Sequence, residues 1–343
     1  MKRQLQFTCL LIVCMAAGAF ARNPDGTLST IQTPNNGLPA ITTAGEHFTA
    51  LLREEAALSL RSSDGERVPV AITSEPVAAR HGYLEVTCKV PNDTPPGGYE
   101  LVADTGGKPD INKRAVFVLK QWPEEYTVAH VTDTHIGSDR NPRSSVEIAA
   151  DVFEEVNSSD ASFVLVTGDL TDNGEPREFK QFLKVLDTCR LPTFVCPGNH
   201  DRLADNYENV FGDVTYMFRF GDDGYIAFDT KDYVTADALD VQNELLQRFR
   251  RAIKPARWSI GFTHRYEPGM GIRSQIVLFV DNPLDHLVFG HWHRKNEPDE
   301  SIVPWGKTSM TATPAAINGA LRYIDVTRKG IIPREPVRAV KLR

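Results

Sequence analysis

The chain has 343 residues, of which 41% are hydrophobic and 24% charged, and its formal net charge is -7. This composition is typical of a soluble globular protein. The length exceeds that of a typical single domain, so we expect two domains. The negative charge argues against nucleic acid as the main partner, because a polyanion would be repelled.

The first 21 residues have the features of an export signal. Lys2 and Arg3 form a basic start, residues 10–19 are apolar, and Ala19-Phe20-Ala21 places small residues where a signal peptidase cleaves. We therefore predict a signal peptide over residues 1–21, cleavage near Ala21, and export to the periplasm or the extracellular space. A retained anchor is the alternative, but the apolar run is too short to span a bilayer comfortably. No other stretch of the sequence is predicted to cross a membrane.

Cysteine usage leaves two further questions open. Lipidation at Cys14 is an alternative to simple cleavage, although Val13 stands where a lipoprotein signal has a small residue. The mature chain keeps Cys88, Cys189 and Cys196. A bridge between Cys189 and Cys196 is conceivable in an oxidising compartment. Three buried apolar thiols are the favoured interpretation.

Residues 22–121 indicate an exposed leader followed by an all-β domain. The segment 22–43 is rich in Pro, Asn, Gly and Thr and is predicted to be exposed. Over 44–121, short apolar runs alternate at period two between Pro- and Gly-rich turns, which predicts a small antiparallel sandwich of immunoglobulin-like type. Residues 46–60 fit either a helix or two strands. We see no chemically active cluster here.

The predicted secondary structure changes over residues 122–343, where strands alternate with helices. Strands are predicted at 126–132, 163–167 and 193–196, with helices at 144–156 and 175–187 between them. Later strands are predicted at 225–229, 258–263 and 286–289, and a further helix at 241–252. This alternation is typical of stacked α/β layers.

Potential metal ligands follow the predicted strands of this second region. The motifs are Asp133-Thr134-His135, Gly168-Asp169, Gly198-Asn199-His200-Asp201, His264 and Gly290-His291-Trp292-His293. Ligands of open α/β sheets bind at the carboxyl ends of strands, so these side chains can converge. If the backbone stays extended, residues two apart, such as Asp133 and His135, point the same way.

Each motif alone has an ordinary structural explanation, such as a turn or a buried histidine. Their conjunction at successive strand ends favours a metal site. Carboxylates, imidazoles and one amide suit Mn, Fe or Zn better than Ca or Mg. There are enough ligands for two ions, with one carboxylate available as a bridge.

Together these motifs resemble the calcineurin-like metallophosphoesterase superfamily over roughly residues 126–330. The runs 168–174 and 197–201 are similar to its class III cyclic-nucleotide phosphodiesterase and glycerophosphodiesterase branch. The resemblance implies a four-layer α/β/β/α sandwich with two divalent or trivalent ions. It assigns Asp133, His135 and His293 to one ion, Asp169 to the bridge, and Asn199, His264 and His291 to the other. It places His200 beside the leaving oxygen as a proton donor or charge stabiliser.

No tyrosine follows shortly after Asp169, so a tyrosinate-bound ferric site is not expected. The predicted function is hydrolysis of a small phosphate ester, preferably a diester, by a hydroxide held on two metals. The alternatives are a phosphomonoesterase on the same centre and a binding protein that retains the fold without catalysis. The loop arginines Arg140, Arg143 and Arg265 are candidates for contact with substrate phosphate.

Two neighbours of the ligands also have open roles. Asp201 is expected either to orient a ligand imidazole or to cap the following turn. Trp292 is expected to pack, with a place in the wall of the cleft as the alternative.

Overall fold

The computed structural model describes residues 26–229, 236–266, 271–297 and 307–340. The predicted signal peptide and Cys14 lie outside these residues. Within them the chain forms a mixed α/β fold with four sheets, which confirms the α/β class. None of the helices in this part of the chain combines the length and apolar character needed to cross a membrane.

Two five-stranded sheets form the amino-terminal part. Their strands are β1 (Ile31–Thr33), β2 (Ala40–Thr43), β3 (His47–Leu52), β4 (Ala57–Arg61), β5 (Arg67–Pro69), β6 (Ala71–Ile72), β7 (Val77–Ala78), β8 (Leu84–Lys89), β9 (Gly97–Asp104) and β10 (Asp110–Leu119). One sheet has the order β1-β3-β8-β6 with β7 also on β8, and the other β2-β10-β9-β4-β5. A shared core that includes Phe48 and Leu52 of one sheet and Leu60 and Leu101 of the other joins them. Residues 46–60 therefore contribute strands β3 and β4 and not a helix. Strand β3 alternates exposed and buried positions, as a half-buried strand does.

Two details of this part differ from the sequence predictions. Strand β2 pairs with β10 in parallel, so the sandwich is not wholly antiparallel. The prediction of an exposed leader is wrong from Leu28 onward, because Leu28, Ile31 and Asn35 are buried. The side-chain amide of Asn35 donates to the carbonyl of Phe211, and Val195 N donates to Gly37 O. Polar and turn-forming residues here satisfy buried backbone groups of the second region, which local composition cannot reveal. The immunoglobulin-like type stays a prediction.

The second region contains the other two sheets. Its strands are β11 (Tyr126–Val131), β12 (Ala161–Thr167), β13 (Thr193–Cys196), β14 (Tyr216–Phe220), β15 (Asp223–Ala227), β16 (Ser259–Thr263), β17 (His286–Phe289), β18 (Ser309–Ala312), β19 (Ala320–Val326), β20 (Ile331–Pro333) and β21 (Val337–Arg338). The third sheet runs β13-β12-β11-β19-β20, with β21 also on β19, and the fourth runs β14-β15-β16-β17-β18. Strands β11, β12 and β13 are parallel, as are β15 to β18.

Helices cover the outer faces of these two sheets. They are α1 (Ser145–Asn157), α2 (Pro176–Leu186), α3 (Asn206–Phe211), α4 (Ala236–Ala252) and α5 (Ile272–Phe279). Helix α1 begins where Ser144 and Glu147 form a capping box. Helices α1 to α3 share a core with the third sheet, α4 and α5 share one with the fourth, and a core containing Phe163 and Phe262 lies between the sheets. The parallel strands of both sheets therefore end at a common edge.

Candidate metal centre

The candidate ligands lie just beyond the carboxyl ends of the parallel strands. Asp133 follows β11, Asp169 follows β12, Asn199 follows β13, His264 follows β16 and His291 follows β17. This is the edge at which open α/β sheets bind ligands. Helical packing on the outer faces fixes the strands, and the loops that leave them bring the side chains together.

The backbone at five of the seven candidate ligands is left-handed rather than extended. The φ angles are 56° at Asp133, 43° at His135, 47° at Asp169, 65° at His291 and 56° at His293. Non-glycine residues adopt this region rarely and at a cost of about 1–3 kcal/mol each. The side chains of these five residues therefore converge because their loops turn sharply. The strand alternation expected from the sequence does not bring them together.

Two glycines allow the loops to approach this closely. A Cβ at Gly198 would lie 2.1 Å from Asp169 Oδ1, and one at Gly290 would lie 1.8 Å from Thr132 Oγ1. Neither contact is possible for a real side chain, so any larger residue would push a ligand loop away. The glycines of the motifs thus provide space beside the carboxylates.

Six of the seven predicted ligands form two adjoining groups. Asp133, His135 and His293 form one, and Asp169, His264 and His291 form the other, with the ligand atoms of each group within 4.8 Å of one another. Asp169 Oδ2 lies 3.6 Å from His135 Nε2 and 3.2 Å from His264 Nε2. This carboxylate therefore faces both groups.

A buried carboxylate oxygen without a hydrogen bond lies at the centre of these groups. Asp133 is fully buried, and its Oδ1 accepts no hydrogen bond from any described residue. Its Oδ2 accepts from Thr132 Oγ1 at 2.7 Å and from His291 N at 3.0 Å. Nε2 atoms face Oδ1 at 3.2 Å (His293), 3.9 Å (His135) and 4.0 Å (His264). A buried unpaired carboxylate oxygen among imidazole nitrogens fits a metal cation.

The electrostatics of the second group also favour bound positive charge. Burial would lower the pKa of His264, but the charges of Asp169 and Asp133 raise it to about 9. Burial raises the pKa of Asp169, but the charge and hydrogen bond of His264, the backbone N–H of His200 and the charge of His135 together hold it below its ordinary value. Burial and the charge of His264 lower the pKa of His291 to about 4. The carboxylates thus hold a proton on a buried imidazole, and a cation would supply the same charge.

Acceptors behind three imidazoles fix their tautomers. His135 Nδ1 donates to Asp172 Oδ1 at 3.0 Å, and His264 Nδ1 donates to Thr167 O at 2.8 Å. His200 Nδ1 donates to Asp172 O at 2.6 Å. When these rings are neutral, as metal binding requires, the Nε2 lone pair of each is therefore left for the site. The sequence predicted such backing groups in general but missed Asp172, whose signal was its place in the same motif, three residues after Asp169.

The turn after β13 carries Asn199 and His200. Its residues Asn199–Asp201 form a short 3-10 helix in which Asn199 is exposed and His200 partly buried. The His200 backbone N–H donates to Asp169 Oδ1 at 2.9 Å, and the His200 ring lies 4.7 Å from that of His135. His200 is thus beside the first group of ligands.

Among the described residues, Asp201 forms no side-chain hydrogen bond with a ligand imidazole or with the turn that follows it. Its buried carboxylate accepts from Gly198 N, Leu170 N, Thr171 N and Thr171 Oγ1 at 2.7–3.1 Å. It therefore ties the loop after Asp169 to the loop that carries Asn199. Burial and the charge of Asp169 raise the pKa of Asp201 to about 6.

The three candidate arginines differ in position. Arg140 Nη2 donates to Asp172 Oδ1 at 3.1 Å, next to His135. Arg265 directly follows the ligand His264 in the sequence. Burial, the charge of His264 and, third in size, the charge of Arg265 lower the pKa of His291, so this arginine also lies near the centre. Arg143 instead pairs with Asp151 of α1 at 2.7 Å. The structure thus brings Arg140 and Arg265 to the site but not Arg143.

Trp292 packs edge-to-face against Phe289, with ring centroids 4.9 Å apart, as expected for a packing residue. The thiols of Cys88, Cys189 and Cys196 are all buried and free.

A known protein family matches the region that carries these ligands. The model of a family described as calcineurin-like phosphoesterase matches residues 126–295. This segment contains the whole candidate centre, from Asp133 to His293.

Curated relatives match a shorter part of the chain. A probable glycerophosphodiester phosphodiesterase of Arcobacter nitrofigilis is 34% identical over 90 residues, which cover 24% of this chain and 33% of the relative. A probable cyclic nucleotide phosphodiesterase of Coxiella burnetii is 31% identical over 112 residues, which cover 31% of this chain and 43% of the relative. The matched segments thus span less than half of these relatives.

A solved structure shares the fold. The purple acid phosphatase PPD1 from yellow lupin superposes with a TM-score of 0.55 at 13% identity, covering 89% of this chain and 72% of that chain. Because the identity is low, this likeness concerns the fold alone.

Proposed function

Since residues 126–295 place this chain in the calcineurin-like phosphoesterase family, we propose that it is a metal-dependent hydrolase of phosphate esters, with a phosphodiester as the preferred substrate. The observation that carries the proposal is the position of Asp169, whose Oδ2 faces His135 Nε2 at 3.6 Å and His264 Nε2 at 3.2 Å. A carboxylate oxygen between two sets of ligands suits a two-metal centre, because one group can then serve both ions.

The residues at the site fit two cations. Asp133, His135 and His293 would hold one, and Asn199, His264 and His291 the other, with Asp169 shared between them. Imidazole and carboxylate ligands favour Mn, Fe or Zn. When bound, such ions supply Lewis acidity toward phosphoryl oxygens and activate water as a nucleophile.

The side chains of the chain have separate tasks in this reaction. Asp172 keeps His135 and His200 in the tautomer that presents Nε2 to the site. With Nδ1 held by the Asp172 carbonyl at 2.6 Å, a protonated His200 would give its Nε2 proton to the departing alkoxide. Arg140 and Arg265 would pair with the non-bridging oxygens of the substrate.

Two supports favour a diester over a monoester. The motif runs 168–174 and 197–201 resemble the diesterase branch, and the two relatives described above are named as phosphodiesterases. The ligand residues do not separate the two activities, so a phosphomonoesterase on the same centre is the second candidate. A binding protein without catalysis is the third, and the complete ligand set opposes it.

A substrate panel on metal-loaded protein tests the proposal. We expect hydrolysis of bis(p-nitrophenyl) phosphate after loading with Mn, Zn or Fe, and at least a tenfold lower kcat/KM for p-nitrophenyl phosphate. The reverse preference would indicate a monoesterase. His200→Ala should lower kcat by about 10²–10⁴-fold, the usual contribution of a proton donor, without changing metal content. Metal-loaded protein that cleaves neither ester would refute catalysis.

The remaining features complete the proposal. The amino-terminal signal supports export with cleavage near Ala21, and the net charge of -7 disfavours nucleic acid as substrate. We propose an immunoglobulin-like type for the amino-terminal sandwich. Deletion of residues 23–120 would unpack the leader from the second region, so point variants are the better probes of its role.

A further inference from the structure

A basic groove lies between the amino-terminal sandwich and the second region. Its volume is about 720 Å³, within the range of small-molecule sites. It is lined by five cationic side chains, Arg61, Arg67, Lys113, Arg114 and Arg190, and by the carboxylates of Glu100 and Asp187. Its lining therefore carries a net charge of +3, although the whole chain carries -7.

The groove is remote from the metal centre. Arg114 Nη2 donates to Thr193 Oγ1 at 3.1 Å, and Thr193 is the first residue of β13. Asn199 follows the other end of this strand. The groove thus lies at the amino ends of the parallel strands, and the metal ligands lie at their carboxyl ends.

Like charges oppose each other on one wall of the groove. Arg61 and Arg67 are directly paired across β4 and β5. Such a pair places two cations on the same face and is destabilising. Glu100 contacts Arg61 at 2.5 Å, whereas Arg67 is exposed and has no ion pair among the described residues. Asp64 and Glu66, in and after the hairpin turn, are not part of the lining.

The opposite wall also has fewer carboxylates than cationic side chains. Asp187 pairs with Lys113 at 3.0 Å and also accepts from the amide of Asn36 at 3.0 Å. The neighbouring Arg114 is left-handed, with φ at 48°, where the register of β10 and β9 shifts. Its Nε and Nη1 are buried and donate to no acceptor among the described residues. Burial lowers the pKa of Arg114, because the charged guanidinium loses hydration. A nearby anion would offset this desolvation cost.

We infer that this groove binds a small ligand carrying phosphate or sulfate groups. A multiply charged oxyanion would lie between Arg61 and Arg67 on one side and Lys113 and Arg190 on the other. The exposed guanidinium groups offer paired N–H donors, which match the oxygens of these anions. The chemistry is common to free phosphate anions and to sulfated or phosphorylated sugars. This inference does not depend on the metal centre or on catalysis.

Calorimetric titration of the metal-loaded full chain with two probes tests the inference. The probes are inorganic pyrophosphate and a sulfated disaccharide, with the unsulfated disaccharide as the uncharged comparison. We expect a Kd tighter than about 1 mM for at least one charged probe, and weaker binding at higher salt. Arg67→Glu and Arg190→Glu should each raise this Kd about tenfold, the usual effect of losing one charge-assisted hydrogen bond.

The variants separate binding from folding. Arg67→Glu places a carboxylate opposite Arg61, so it should keep or raise Tm while weakening the probe. Lys329→Glu, an exposed change of the same charge in the turn after β19, is the matched control and should bind as wild type. Pyrophosphate bound at the metal centre would remain in every variant as a second class of site.

Each outcome decides the inference. Binding of pyrophosphate that falls in both groove variants supports a free-anion site. Binding of the sulfated disaccharide alone, again lost in both variants, supports a sugar-borne anion. If neither variant changes the Kd of either charged probe relative to Lys329→Glu, the groove is not an anion site.

Discussion

Asp172 is the residue whose replacement tests the arrangement of the centre most directly. Its carboxylate Oδ1 accepts from His135 Nδ1 at 3.0 Å and from Arg140 Nη2 at 3.1 Å. Its backbone carbonyl accepts separately from His200 Nδ1. Asp172→Ala therefore removes the support of His135 and Arg140 but leaves that of His200.

The size of the effect follows from these contacts. A hydrogen bond to a charged group contributes about 1.5–3 kcal/mol. The Asp172 side chain is 20% exposed, so the lower half of this range applies to its bond with buried His135. The pair with Arg140, which is 48% exposed, adds at most about 1 kcal/mol. We expect metal affinity at the His135 group to fall about 10- to 100-fold, as is usual when the group behind a ligand histidine is removed.

Metal affinity is measured by titrating metal-free protein in metal buffers, with kcat and KM determined at saturating metal. Asp172→Asn keeps an acceptor for His135 without the charge and should lie between wild type and Asp172→Ala. Asp151→Ala is the matched control, since it removes a carboxylate that pairs with Arg143 away from the centre. The reasoning fails if Asp172→Ala binds metal as tightly as Asp151→Ala does.

Three further results are expected. Gly290→Ala should lose bound metal and about 1–3 kcal/mol of stability through overpacking, because its Cβ would meet Thr132 Oγ1 at 1.8 Å. Gly330→Ala, whose Cβ would have nothing within 4 Å, should keep both metal and stability. Normal metal content in Gly290→Ala would contradict this. Arg140→Ala should raise KM about tenfold, as loss of one charge-assisted contact does, while Arg143→Ala should leave KM unchanged; equal KM values for the two variants would remove Arg140 from the substrate site. Chelation should abolish hydrolysis and lower Tm in proportion to metal affinity, and a chelator-resistant rate would exclude the two-metal proposal.

The sequence by itself determined the ligand types and their order along the chain. Metal chemistry requires particular side chains, and parallel strands end at one edge, so Asp133, Asp169 and His264 could be related without coordinates. The α/β alternation was readable for a similar reason, because helix and strand periodicities are local properties.

Only the tertiary structure decided the features that depend on distant contacts. The leader became buried because Asn35 and Gly37 meet Phe211 and Val195, far along the chain. Arg140 and Arg143 are similar in sequence context. In the structure, however, Arg140 pairs with Asp172 beside His135, whereas Arg143 pairs with Asp151 of α1.

The left-handed turns at Asp133 and His135 have the same origin. Their residue types do not require a positive φ, and the expected extended backbone was the ordinary choice. Backbone hydrogen bonds from Asp133 N to Gly168 O and from His135 N to Asp169 O hold the turns against the neighbouring loop. The residues that can bind metal are therefore a property of the sequence, whereas the positions from which they bind follow from contacts between loops.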